Sequence, residues 1–97
     1  MDRKRRIGGS DFVWDVAKAA VNEQKHGVCF EDAATVFADP LLKLVEAGRN
    51  DDARFAAIGF DAAARLLLVV HVEVVGEFIR IISARRATRS EEADYAQ

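Results

Sequence analysis

The run Arg65-Leu66-Leu67-Leu68-Val69-Val70-His71-Val72-Glu73-Val74 decides the fold. Its β-branched and leucine content suits a strand, and Leu66 to Val70 is apolar on both faces of an extended chain. Such a strand belongs at the centre of a sheet that is covered on both sides. The segments around it read the same way. Leu41 to Glu46, Arg54 to Phe60 and Phe78 to Ser83 are further β-rich stretches, separated by turns at Gly48 to Asp52, around Asp61 and at Val75-Gly76-Glu77. Links this short favour an antiparallel meander.

Towards the N-terminus the period changes. Phe12-Val13-Trp14 is a short strand, Asp15 stands where an N-cap belongs, and a helix follows from Val16 to Lys25, ended by Gly27. Val16, Ala17, Ala20, Val21 and Gln24 form its stripe at helical spacing. Phe30, Ala33, Ala34 and Phe37 lie at i, i+3, i+4 and i+7 and predict a second helix of about two and a half turns, stopped by Asp39-Pro40. At the other end, Thr88 and Glu91 have capping-box spacing, so a final helix runs to about Tyr95. The fold class is α+β: a short N-terminal strand, two helices packed on an antiparallel sheet of three to four main strands, and a short C-terminal helix.

Composition narrows the class further. Ninety-seven residues, 51% hydrophobic and 31% charged, make one domain over residues 11–97, preceded by a basic, flexible arm over residues 1–10. That arm carries Arg3, Lys4, Arg5 and Arg6 but no apolar run, so it does not read as a signal peptide. No stretch is long and apolar enough for a membrane span. The single cysteine, Cys29, allows no internal disulfide and no thiolate metal site, which fits a reducing cytoplasm. No metal and no cofactor are expected.

The net charge is -2, and because the first ten residues hold four bases and one acid, the rest holds ten bases against fifteen acids. An acidic body argues mildly against a nucleic-acid substrate. The exception is local: Arg80, Arg85, Arg86 and Arg89 fall within ten residues that contain no acid, and a phosphate site belongs there. No helix-turn-helix pattern with a basic recognition face is present, so a direct DNA-binding regulator finds little support.

The stretch Trp14-Asp15-Val16-Ala17-Lys18, continued by Asn22-Glu23-Gln24-Lys25-His26-Gly27-Val28-Cys29-Phe30-Glu31-Asp32-Ala33, closely resembles the opening signature of the BrnT toxins. The resemblance resumes at Val36 to Pro40, at Arg54 to Gly59 and at Ile79 to Arg89. It implies a RelE-like fold, metal-independent RNA cleavage that arrests translation, and neutralisation by a ribbon-helix-helix antitoxin of the BrnA kind. Operator DNA is then reached only through that antitoxin.

Metal-free RNA cleavage needs a base, an acid and cations on the phosphorane. Arg85 suits the cationic role, because its fork holds two phosphate oxygens; Ser83 lies beside it at a matching position. Arg80 is a weaker candidate, with a salt-bridged strand residue as its plainer reading. Lys25 and His26 complement the dipole of the first helix, yet they match the K-H-G signature, and a histidine exchanges protons near neutrality. Glu91 is marked by the resemblance and is at the same time a capping residue. Arg54, Arg65, Arg86 and Arg89 are candidates for RNA contact, with solvated edges as the bland alternative. Tyr95 packs its ring or stacks a base. His71 and Trp14 read as core, and Cys29 as a poor cap.

Three departures from the signature bear on activity. Val72 replaces a common Thr, Val74 a frequent Arg, and Glu92 a basic residue in the E-R-x-x-Y pattern. They leave open an alternative to the active ribonuclease, namely a weakened homologue that acts as a binding module and co-repressor with its antitoxin.

Overall fold

The computed structural model describes residues 1–46, 54–74 and 78–97. In chain order the elements are β1 (Asp2–Ile7), β2 (Ser10–Asp15), α1 (Val16–His26), α2 (Phe30–Ala34) with a 3-10 turn over Thr35–Ala38, β3 (Lys43–Glu46), β4 (Arg54–Phe60), β5 (Leu66–Val74), β6 (Phe78–Arg86) and α3 (Arg89–Tyr95). The strands form one sheet in the order β1-β2-β6-β5-β4-β3. The turns expected at Gly48 to Asp52 and at Val75-Gly76-Glu77 lie outside the described residues.

β5 is central and covered on both sides, as its apolar run requires. Leu67 and Val69 are fully buried with Phe12, Trp14, Phe30 and Val36 in the core beneath α1 and α2, while Leu68 packs with Ala56, Ile58 and Tyr95 on the opposite face. Trp14 meets Phe30 edge to face at 6.0 Å, a favourable quadrupolar geometry.

The sheet is larger than the expected three to four antiparallel strands, and it is mixed. β2 runs parallel to β6, from Asp11 opposite Phe78 to Val13 opposite Arg80. Counting only segments joined by short links misses this pairing, because the whole of α1 to β5 forms the crossover between the two strands. The N-terminal stretch also differs from the expected flexible arm. β1 pairs with β2 along its length, Asp2 to Ile7 against Asp15 to Ser10. Gly8 and Gly9 both have positive φ, 59° and 84°, the requirement of a type I′ hairpin turn. The glycine pair that reads as a chain break is therefore a hairpin.

α1 is capped as the sequence demands. The Asp15 carboxylate accepts from the Lys18 N–H at 2.9 Å, and Gly27 adopts the left-handed conformation with φ 70°. Its expected apolar stripe, however, faces outward: Ala17, Ala20, Val21 and Gln24 are exposed, and the helix buries Asn22 instead. The Asn22 amide donates to the carbonyls of Ala84 at 2.9 Å and Val28 at 3.0 Å, and its oxygen accepts from the Ala84 N–H at 3.0 Å. Those bonds hold α1 against the edge of β6, beyond the point where β2 stops pairing with it. The second helix is also shorter than its spacing suggests, tightening into the 3-10 turn at Thr35 before Asp39-Pro40. That turn lies close on β4. A Cβ on Gly59 would come within 3.0 Å of Leu42 Cδ1 and 3.3 Å of the Val36 carbonyl.

Two expectations follow for stability. Asn22→Leu keeps the branched shape but strands three buried backbone groups, and unsatisfied groups cost about 1–3 kcal/mol each. Urea unfolding should show a loss of roughly 3 kcal/mol or more; a loss below 1 kcal/mol would contradict the latch.

His71, only 1% exposed, sits at 4.9 Å from the Phe37 ring. Burial holds its pKa below the ordinary value of 6.5, against the opposing hydrogen bond to the Val69 carbonyl and the charge of Glu73. The unfolded chain therefore binds more protons as pH falls through 6.5, and stability should decline there by up to about 1.4 kcal/mol per pH unit. Denaturation at pH 7.5 and 5.5 should show that decline in the wild type, with a smaller one in His71→Phe.

Candidate active site

Register decides which side chains of β6 meet. Ser83 lies opposite Val70, but His71 lies opposite Ile81, so Ile82 is an extra residue on β6. This is a β-bulge, which re-aims side chains along a strand. Arg80 and Ser83 are three apart and would face opposite ways on a regular strand. The bulge puts both on one face, since their partners Val72 and Val70 are two apart. Arg85, opposite Leu68, lies on that face too, the one that carries α3.

The Asn22 latch brings α1 to the flank of β6 at the height of Ser83 and Arg85. Lys25 and His26 are three and four residues beyond Asn22 and therefore share its side of the helix. With Lys18, Val21, Ile82 and Ser83 they line a groove of about 350 Å³ between α1 and β6. Lys25 and His26 are exposed, and Ser83 is half-buried. The groove brings Lys25 and His26 beside Ser83 of β6, with Arg85 two residues farther along the strand.

Arg85 is bound on both arms. Its Nη1 and Nη2 donate to the two oxygens of Glu91 at 2.9 Å each, and Nη1 also donates to the Arg86 carbonyl at 3.1 Å. Three of its five N–H groups are thus used. Glu91 Oε1 in turn accepts from the Thr88 N–H at 2.8 Å, completing the capping box of α3. The Arg85 guanidinium holds the Glu91 carboxyl below its ordinary value, assisted by Thr88 and opposed by burial. The same contact raises Arg85.

Arg80 is likewise forked, onto Asp2 of β1 at 2.7 and 3.2 Å, which is the salt-bridged reading of that residue. Arg54 is exposed and lies on the same face, across Val72 from Arg80. Val72 is half-buried and Glu92 exposed, while the Val74 side chain lies outside the described residues.

Other candidates are placed elsewhere. Arg65 lies at the end of the β4–β5 turn, bonded to the buried Asp61 at 2.9 Å, to Asp32 at 3.2 Å and to the Gly27 carbonyl at 3.3 Å. It clamps that turn to the α1–α2 junction rather than joining the groove. Arg86 and Arg89 are exposed at the end of β6 and the start of α3. Tyr95 packs edge to face on Phe60 at 5.4 Å and donates to Asp39 at 2.7 Å, so ring packing is its structural role. Cys29 N-caps α2 without a side-chain hydrogen bond. Sequence reasoning missed Asn22, the bulge at Ile82 and Asp39, whose Oδ2 also accepts from the Phe60 N–H at 2.9 Å. A polar residue on the inward side of α1 was the available signal for Asn22. A single extra strand residue leaves none.

Among the described residues no group of three or more His, Cys, Asp or Glu side chains is placed to hold a metal ion. No helix among them is long and apolar enough to cross a membrane.

Comparison with known proteins agrees with the motif resemblance. A family model described as the ribonuclease toxin BrnT of type II toxin-antitoxin systems matches residues 14–91. The crystal structure of the Brucella abortus ribonuclease toxin BrnT is similar at 27% identity with a TM-score of 0.62, over 78% of this chain and 94% of that one. No curated protein matches.

Tyr95 is the chain's single tyrosine, so its docking is open to direct titration. The hydrogen bond to Asp39, with burial, raises its phenol above the ordinary value of 10. That contribution is present below pH 10 and lost as pH rises through the folded value. Ultraviolet titration should place the phenol above 10 in the wild type and nearer 10 in Asp39→Asn. Identical ordinary titrations in both would refute the α3 anchor.

Proposed function

This chain belongs to the BrnT family of ribonuclease toxins of type II toxin-antitoxin systems, and on that premise we propose that it is a metal-independent endoribonuclease whose cutting centre is the groove between α1 and β6. The observation that carries this reading is the convergence of Lys25, His26 and Ser83 on one groove, with Arg85 on the same strand.

In such a centre the ribose 2′ oxygen attacks its own phosphorus, the bond to the 5′ oxygen breaks, and a 2′,3′-cyclic phosphate is left. His26 takes the 2′-OH proton, Lys25 offers its charge to the phosphate, and the departing 5′ oxygen takes its proton from solvent water. Ser83 donates a hydrogen bond to a non-bridging oxygen. Arg85 supplies the cation for the phosphorane, where its fork matches two oxygens. Glu91 acts as a positioning residue: it holds the Arg85 fork until the phosphate takes its place and does not touch the reacting atoms. Arg80 and Arg54 provide flanking positive charge.

In the cell this activity arrests translation in the cytoplasm. A ribbon-helix-helix antitoxin of the BrnA kind silences it and carries the pair to operator DNA. The RelE-like character of the fold belongs to the same reading.

The test is cleavage of a defined RNA by the purified, antitoxin-free chain in EDTA. Cutting should survive the chelator and fall by about a hundredfold or more in Arg85→Ala, the scale seen when one charge-stabilising donor is removed. Glu92→Arg should raise the rate, because it replaces a negative charge in the first turn of α3 with a positive one. Intact RNA from a demonstrably folded wild-type chain would overturn the proposal.

A further inference from the structure

β1 lies entirely outside residues 14–91, the part that the family model matches. It nevertheless extends the face on which β6 carries its functional side chains. Phe12 and Trp14 of β2 are buried in the core under the helices, so their partners Arg5 and Arg3 point to that side. Asp2, Lys4 and Arg6, opposite Asp15, Val13 and Asp11, point to the other. Arg5 accordingly meets Glu31 of α2 at 3.7 Å.

The register then aligns one row across five strands. Lys4 lies opposite Val13, Val13 opposite Arg80, Arg80 opposite Val72, and Val72 opposite Arg54. At about 4.8 Å per strand, Lys4 and Arg54 each stand roughly 10 Å from Arg80. Ser83 and Arg85 follow along β6 on the same face.

The cations of this face differ in how they are held. Arg80, Arg85 and Arg6 are each bound to a carboxylate, of Asp2, Glu91 and Asp11 respectively. Lys4 has no ion-pair partner among the described residues; its ammonium lies 5.0 Å from the centre of the Phe78 ring. A lysine poised over an aromatic ring keeps its charge available to an incoming anion. The patch around it is charged rather than apolar, and lysine is depleted in protein interfaces, which favours RNA over a protein partner.

Resting on the ribonuclease reading above, we propose that β1 is a second RNA-contacting element: Lys4 binds a backbone phosphate of the single-stranded substrate, about 10 Å from Arg80, from which β6 runs on to Ser83 and the cutting groove.

The probe is a fluorescein-labelled 2′-O-methyl RNA oligonucleotide, whose blocked 2′ oxygen prevents cleavage. Binding is measured by anisotropy at several salt concentrations with the full chain. Lys4→Met keeps the aliphatic stem on Phe78 and removes only the charge, and Lys4→Arg restores it. Lys4→Met should weaken binding about three- to tenfold at 0.1 M salt and flatten the slope of log K against log salt by about 0.7, one phosphate contact on a single strand. Lys4→Arg should recover both. Unchanged affinity and slope in a folded Lys4→Met that still cuts unmodified RNA would overturn the role of β1 and leave the ribonuclease reading intact. A wild-type chain that neither binds the probe nor cuts RNA would overturn both. Loss of antitoxin capture with RNA binding unchanged would assign β1 to the protein partner and sink the proposal.

Discussion

The Asn22 amide on the backbone of Ala84 is the contact on which the arrangement depends. β2 pairs with β6 only from Asp11 to Val13, because the chain turns into α1 at Asp15. From Ser83 onward the flank of β6 facing α1 has no strand beside it, and its N–H and carbonyl groups lie at the base of the helix. A buried edge without partners is costly. Asn22 answers this with a planar side chain whose acceptor and one donor meet Ala84 as a neighbouring strand would, while its second donor meets the Val28 carbonyl. Aspartate lacks the donors, and leucine lacks all three groups. With that edge closed, α1 is held at one height along β6, and the turn after Asn22 places Lys25 and His26 over the groove.

The bulge at Ile82 completes the site from the other side. A regular strand would divide Arg80 from Ser83 and Arg85, whereas one inserted residue gathers all three. The carboxylates that accompany the arginines neutralise them locally. Asp2, Asp11 and Glu91 are bound to Arg80, Arg6 and Arg85 at 2.7–3.1 Å. Beyond a Debye length of about 8–10 Å, exposed charges are largely screened. What an approaching phosphate meets is thus set by these local pairs and by Lys4, not by the sum over the chain.

Elements governed by neighbouring residues were legible in the sequence. The Asp15 cap, the Gly27 stop, the Thr88–Glu91 capping box, the central place of β5 and the core positions of Trp14 and His71 all follow from local patterns. The sheet's size and its parallel pair did not, because β2 meets β6 across some sixty-five residues of intervening chain. The stripe on α1 misled for a different reason. Alanine and valine at helical spacing mark a core face only where something covers them, and here the covered side is chosen by one polar residue seeking backbone partners. In β1 the density of charge suggested a solvated arm, although four basic residues on an edge strand are a common way of keeping that edge from pairing further. Of the site, Arg85, Ser83, Lys25 and His26 were readable as candidates through the family signature. Their convergence was not, since it rests on Asn22 and the bulge.

Glu91 shows why cap and site residue are not competing descriptions. Its Oε1 accepts both the Thr88 N–H and Arg85 Nη1, while Oε2 accepts Nη2 alone. An anion that draws the guanidinium away breaks the bonds to Arg85 and leaves the one to Thr88 in place, so α3 keeps its capping box. A cap of this kind is worth about 1 kcal/mol. The ion pair, whose arginine is 37% exposed, belongs near the surface range of about 0–1 kcal/mol after screening. Phosphate, bound bidentately with comparable geometry, replaces the carboxylate at little net cost. The helix end therefore holds Arg85 in position between encounters and does not have to unfold when the arginine changes partner.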